Sequence, residues 1–193
     1  MVILDGKKEP VAILMRHAEC RKNLNNIIGG TSSGQLTEKG LSSLERLFET
    51  TPELRSLKSI WFSPSEQCKQ TATLLSKKLK LEAHESELLL PLNLGVLAGL
   101  TLTQSESKYP EAHLSMDLWR RGELDILDLK VPSLGDPFSF YQQGERFFAR
   151  LADHPRPALI IGTRSVLIML KNVWFKCSPG KGYKNFDFDM YTL

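Results

Sequence analysis

Residues 11–15, Val-Ala-Ile-Leu-Met, form an unbroken apolar run with no alternation. That is the pattern of a central strand covered on both faces. Residues 158–161, Ala-Leu-Ile-Ile, repeat it, and Ser59-Ile-Trp-Phe62 is a shorter version. Between these runs the apolar period becomes helical. Leu41, Leu44, Leu47 and Phe48 fall on one helical face behind Thr37, whose hydroxyl suits a helix N-terminus. The spacing predicts further helices over residues 70–81, 138–152 and 165–174. Residues 87–92 read as extended and lead to a loop punctuated by Gly95 and Gly99. Residues 103–137 hold weak periodicity, broken by Gly122, Pro132 and Pro137, and predict short helices and loops over the top of a sheet. Residues 185–191 alternate and predict an edge strand. Strands alternating with helices predict an α/β three-layer sandwich, with a mainly parallel central sheet and helices on both faces.

The chain has 193 residues, which fits a single domain over 1–193 with residues 103–137 as a cap segment. Hydrophobic residues make up 41% and charged residues 24%, so a core can form without staples. The net charge of +3 is spread along the sequence, which argues against a nucleic-acid partner. Cys20, Cys68 and Cys177 are odd in number and far apart. They fit neither a disulfide framework nor a zinc site, and point to a reducing compartment. No apolar run approaches the length of a bilayer span, and the first residues carry no secretion signal. The expectation is a cytoplasmic protein with no membrane partner, no metal and no cofactor. Nothing in the sequence fixes an oligomeric state.

Charge arrives where the apolar runs stop. Arg16 and His17 follow the first run, Ser63 and Pro64 the second, and Thr163 and Arg164 the later one. Ligands of open α/β sheets bind just beyond the carboxyl ends of the strands. An arginine beside an imidazole at that edge suits phosphate, because guanidinium pairs its N–H groups with phosphate oxygens. The histidine can then serve as a nucleophile that accepts a phosphoryl group.

Leu14-Met-Arg-His-Ala-Glu19 resembles the Arg-His-Gly-Glu signature of the histidine phosphatase superfamily, with its phosphoglycerate mutase-like fold, and Asn23 stands at the family's asparagine. Gly30, Leu36-Thr-Glu-Lys-Gly40, Phe62-Ser-Pro-Ser-Glu-Gln-Cys-Lys-Gln-Thr-Ala72, Leu94-Gly-Val-Leu-Ala-Gly-Leu-Thr101 and Leu159-Ile-Ile-Gly-Thr-Arg-Ser-Val-Leu167 are similar to its later motifs, in order. The resemblance implies His17 as catalytic nucleophile. It implies Arg16, Asn23, Gln67, Thr163 and Arg164 as residues that bind a small phosphorylated or anionic substrate.

Three departures bear on activity. The family's second arginine falls at Gln67, its second histidine at Thr163, and its proton-donating glutamate near Pro91. Arg164 is the candidate to replace the lost cation, and Glu66 or Glu19 to replace the acid, although Glu19 also suits a brace for local backbone or Arg16. The resemblance therefore implies a phosphomonoesterase or related enzyme with a degenerate site and weak generic activity. Two alternatives stand beside it: an inactive relative that binds an anion or a partner, and an enzyme with a different reaction on the same scaffold. Cys20 is placed to line the pocket. Trp119-Arg120-Arg121 suits either a substrate-reading lid or a packed tryptophan with two solvated arginines. His84, His113 and His154 read as surface residues, and Gly180-Lys-Gly-Tyr183 as a turn.

Overall fold

The computed structural model describes residues 12–29, 34–175, 184–185 and 187–191. Val11, Gly30, Cys177 and the turn expected over 180–183 lie outside them. Five strands make one sheet: β1 (Ala12–Arg16), β2 (Ser59–Phe62), β3 (Ala83–Glu85), β4 (Ala158–Gly162) and β5 (Phe188–Tyr191), in the order β3-β2-β4-β1-β5. All neighbouring pairs are parallel except β1 with β5, which is antiparallel at the edge. Leu14 lies opposite Ile160, which in turn lies opposite Trp61. The three apolar runs of the sequence are thus adjacent strands ending at one edge.

The unbroken apolar runs have a simple cause. Successive side chains of a strand point to opposite faces, and here both faces are covered. Ala12, Leu14, Trp61, Ala158 and Ile160 join a core with α5 (Pro110–Arg121), α6 (Pro137–Ala152) and α7 (Arg164–Phe175). Ile13, Met15, Ile60, Phe62, Leu159 and Ile161 join a second core with α2 (Glu38–Thr50) and α3 (Glu66–Leu79). Trp61, Phe147, Ile13 and Leu14 are almost wholly buried. Each such side chain contributes about 1.5–3 kcal/mol by leaving water.

Local chemistry sets the helix ends. The Thr37 hydroxyl accepts the Gly40 N–H at 3.0 Å and starts α2. A Cβ on Gly40 would overlap the Glu19 carbonyl oxygen, so a glycine there lets α2 lie against the loop after β1. Asp136 accepts the N–H groups of Phe138 and Ser139 and starts α6. Gly122 ends α5 in the left-handed region, at φ 78°. A short helix α1 (Arg21–Leu24) follows the β1 loop, and α4 (Leu102–Lys108) precedes α5.

Two expectations fail. Residues 87–92 are not extended throughout: Glu87–Leu89 is a 3-10 turn closed by the Leu89 N–H on the Ser86 carbonyl, and the backbone turns extended only at Leu90. The strand lies just before it, as β3, too short and too polar to show as an apolar run. Helix α3 starts at Glu66 rather than residue 70, because the Ser65 carbonyl already accepts the N–H groups of Cys68 and Lys69.

Candidate active site

The carboxyl ends of β1, β2 and β4 continue their hydrogen bonding into the loops. The His17 N–H donates to the Gly162 carbonyl and the Ser63 N–H to the Ile161 carbonyl. This locks the chain next to the last strand residues and holds His17 in place, 3% exposed. The loop is braced again from α3. The Ala18 N–H donates to the Thr71 hydroxyl at 3.1 Å, and that hydroxyl donates to the Gln67 carbonyl at 2.7 Å.

The imidazole itself is oriented by its own neighbour. His17 Nδ1 lies 2.7 Å from the Ala18 carbonyl oxygen. A carbonyl only accepts, so the proton sits on Nδ1 and the Nε2 lone pair is left to the cavity. Burial pushes the ring down to about 3, with Arg16, Lys22 and Arg164 adding to the push and the Ala18 bond opposing it. At neutral pH His17 is an uncharged base with a fixed tautomer.

Asn23, on α1, is held just as firmly. Its Oδ1 accepts from the Cys20 N–H at 3.1 Å, the Cys20 thiol at 3.3 Å and Asn185 Nδ2 at 3.0 Å. With Oδ1 occupied, its Nδ2 is the remaining donor. Asn185 Nδ2 also lies 3.0 Å from the His17 carbonyl oxygen, so a residue of the tail ties the loop after β1 to α1.

Gln67 occupies the first turn of α3, buried, with no hydrogen-bond partner for its Oε1. Gly34 packs directly on that amide and leaves no room for a Cβ. Across the site, the Thr163 hydroxyl is 3.1 Å from that of Ser165 at the start of α7. Arg164 between them is lowered to about 9, first by burial and then by Arg16 and Arg120. Arg16 is also lowered by burial, and Arg120 adds to the effect. Arg120 is lowered by burial too. Three guanidinium groups therefore sit close enough to repel one another.

The strand ends and the helices over them enclose one cavity of about 880 Å³. It brings together His17, Arg16, Asn23, Gln67, Thr163 and Arg164, all six of the residues singled out in the sequence. Cys20 and Pro91 line it as well. Glu19 and Glu66 do not. Glu19 accepts from the Thr37 hydroxyl at 2.8 Å and pairs with Lys39, bracing the start of α2 rather than Arg16. Glu66 accepts from Gln70 Nε2 at 2.6 Å on the exposed side of α3.

Other lining residues went unread as site residues or were read only in part, and four of them stand out. Lys22 and Arg120 add positive charge, Trp119 adds a buried wall, and Asn185 adds the bond to His17. Trp119 is packed, as one of the two readings has it, and Arg120 lines the cavity. Arg121 instead pairs outside with Asp117 and Glu123. Lys22 had a signal in its place beside Asn23 on α1. Asn185 had none, being 162 residues from the asparagine it bonds.

The three other histidines are half-buried rather than plain surface residues, because each has packing or a bond. The rings of His84 and His154 lie 4.8 Å and 4.6 Å from that of Trp61, and His113 Nδ1 is 2.6 Å from the Ser105 hydroxyl. None lines the cavity. Cys68 is a buried thiol pushed up to about 12 by its burial. Among the described residues no cluster of three histidine, cysteine or carboxylate side chains is arranged to hold a metal ion, and no helix is long and apolar enough to cross a membrane.

Comparison with known proteins supplies the relatives. The family model of the histidine phosphatase superfamily (branch 1) matches residues 12–176. No curated protein sequence gives a significant match. Among solved structures, a mycobacterial glucosyl-3-phosphoglycerate phosphatase complexed with VO3 superimposes with a TM-score of 0.75 at 20% identity, over 92% of this chain and 88% of its own. The alpha-ribazole phosphatase of Shigella flexneri gives 0.63 at 20% identity, over 85% and 83%. YhfR of Bacillus stearothermophilus gives 0.69 at 21% identity, over 87% and 81%. These three likenesses speak to the fold.

Proposed function

The chain belongs to the histidine phosphatase superfamily, and from that premise we propose that it hydrolyses a small phosphorylated molecule through a phosphorylated His17. The observation that carries this reading is the bond from His17 Nδ1 to the Ala18 carbonyl. It leaves a neutral Nε2 facing a cavity lined by Arg16, Arg120 and Arg164. Nε2 attacks phosphorus, and the guanidinium groups hold the phosphoryl oxygens as charge shifts among them. Asn23 Nδ2 offers a further donor. Residues 103–137 serve as a cap, with α5 carrying Trp119 and Arg120 to the cavity. That the similar mycobacterial protein is a glucosyl-3-phosphoglycerate phosphatase complexed with VO3 supports the class of ligand.

Gln67 and Thr163 present neutral hydrogen-bonding groups to the cavity, which favours a second reading, a module that binds an anion without turning it over. One experiment separates the two. The protein is mixed with p-nitrophenyl phosphate, quenched with base and tested for acid-labile phosphate on His17. The hydrolase reading expects slow turnover, trapped phosphohistidine, and loss of both in His17→Ala. Turnover that survives His17→Ala would end the phosphohistidine mechanism. Phosphate binding with no turnover and no trapped phosphate would favour the module.

A further inference from the structure

The cavity is larger than its phosphate end. At about 880 Å³ it falls in the range of about 300–1,000 Å³ that holds a whole small organic molecule. Its cations gather around His17. Burial, then Arg16, and with them Lys22 and Arg164, push that ring down. Arg16 and Arg164, lowered first by their own burial, both feel Arg120. Another stretch of the lining is hydrocarbon. Ile27, Leu94 and Leu102 line the cavity half-buried, and the buried Leu92, Met116 and Trp119 continue the same surface.

Helix α5 relates the two regions. Met116, Trp119 and Arg120 are three and four residues apart, so they share one face of the helix. Arg120 joins the cations, and Met116 lies about one turn, roughly 5.4 Å, back along the axis. One small molecule can therefore reach both the cations and the apolar wall.

The wall is held open by backbone bonds. The Ile28 N–H donates to the Leu100 carbonyl at 2.8 Å, the Gly99 N–H to the Ile28 carbonyl at 2.7 Å, and the Leu102 N–H to the Asn26 carbonyl at 3.1 Å. The loop that carries Leu92 and Leu94 is pinned where the Val96 N–H meets the Pro132 carbonyl and the Gly135 N–H meets the Asn93 carbonyl. A Cβ on Gly95 would overlap the Pro132 carbonyl oxygen, so the glycine keeps this loop close. Asn93 lines the cavity too, but its Oδ1 accepts the Gly95 N–H at 3.0 Å. A hydroxyl laid against the apolar side chains loses water and gains no hydrogen bond, which is unfavourable. A methylene laid there gains about three- to fourfold in affinity.

We propose that the substrate is an amphiphilic phosphate, a phosphate monoester whose organic part is an apolar chain or ring lying along Leu94, Leu102, Met116 and Trp119. This rests on the reading of the protein as a phosphatase, and the reaction is hydrolysis of the ester by water to the alcohol and phosphate.

Two series on the full chain separate the ligand class from the chemistry. Ethyl-, butyl- and hexylphosphonate, whose P–C bond is not hydrolysed, are titrated by calorimetry. Ethyl, butyl and hexyl phosphate, set against glycerol 3-phosphate, are followed by phosphate release. Hexylphosphonate should bind at least about tenfold tighter than ethylphosphonate, a fraction of what the added methylenes supply when fully buried. Hexyl phosphate should exceed both ethyl phosphate and glycerol 3-phosphate in kcat/KM by at least about tenfold on the same ground. Leu102→Asn should cut the gain from ethyl- to hexylphosphonate to less than about threefold, the scale of losing part of one leucine contact. Leu94→Asn is the second variant, read in the same way if the first fails to fold. Affinity that ignores chain length, or faster turnover of glycerol 3-phosphate, would overturn the amphiphile class and leave the phosphatase reading standing. A full gain in both variants would overturn it as well, by placing the chain elsewhere. Affinity that climbs with chain length, with no ester turned over, would overturn the substrate claim together with the phosphatase reading, in favour of a module that binds amphiphilic anions.

Discussion

His17 Nδ1 stands 2.7 Å from the carbonyl oxygen of Ala18, the residue that follows it. The imidazole's tautomer is thus set by the loop that carries it, with no second side chain needed as an orienter. The same burial has a cost in acid. The ring is pushed down from 6.5 to about 3, so the unfolded chain binds a proton there at a pH where the native chain does not. Stability from this group is intact above about pH 6.5 and falls as pH drops toward 3, by at most about 1.4 kcal/mol per pH unit. His17→Gln removes the titration. Urea midpoints of the two proteins between pH 7 and pH 4 should shift progressively in favour of the variant. Parallel pH profiles would show that His17 is not buried as a neutral ring.

Gly40 and Glu19 make a second such relationship. A Cβ on Gly40 would overlap the Glu19 carbonyl oxygen and come within 3.1 Å of its amide nitrogen. Backbone cannot swing aside as a side chain can, so Gly40→Ala has to push α2 off the β1 loop. The expected loss is about 1–3 kcal/mol, the range for overpacking, read as a fall in the urea midpoint. Because Glu19 is only two residues past His17, phosphate binding should weaken too. A variant as stable as the parent would mean that the helix can shift freely.

Arg164 lies among like charges, lowered by Arg16 and Arg120 in addition to its burial. An anion in the cavity relieves that repulsion. Phosphate should therefore raise the melting temperature of the parent protein clearly and that of Arg164→Met much less. Titration calorimetry should show at least a tenfold weaker phosphate Kd in the variant, the scale of one charge-assisted contact. Equal phosphate protection in both proteins would remove Arg164 from the site. The guanidinium would then be a structural group at the start of α7.

The central strands were legible because burial on both faces leaves an unmistakable apolar run, as at Ile13 to Met15 and Leu159 to Ile161. Edge strand β3 was not, since Ala83, His84 and Glu85 are half-buried or exposed and carry no such pattern. At the site, sequence reasoning found the residues that directly follow the strands, because the sheet edge is itself a prediction. It read Arg120 only as a possible lid residue and missed Asn185 entirely. Their places depend on how α5 and the tail pack back over the sheet, which is a long-range property. It also left open which carboxylates face the cavity. Glu66 sits next to Gln67 in sequence, but consecutive residues on a helix point about 100° apart. Gln67 turns inward and Glu66 outward.

The last expectation concerns Gln67 and Thr163, the neutral groups beside the cations. Gln67 is wedged against Gly34, with its Oε1 buried and unpartnered. Gln67→Arg replaces that amide with a longer guanidinium that has to extend past Gly34 toward the cavity. It adds charge next to Arg16, so the ligand-free variant should melt lower than the parent. With phosphate present the order should reverse, because the added cation pairs with the anion. Thr163→His removes the contact to Ser165 at 3.1 Å and places a second imidazole at the end of β4. Together the two changes complete a clamp around the transferring oxygens, and removing one donor from such a clamp costs about 10²–10³ in rate. The double variant should gain at least tenfold on p-nitrophenyl phosphate, whose leaving group needs little help from an acid. It should gain far less on ethyl phosphate, because Pro91 still offers no proton. An equal gain on both substrates would show that the clamp, and not the missing acid, limits the parent protein.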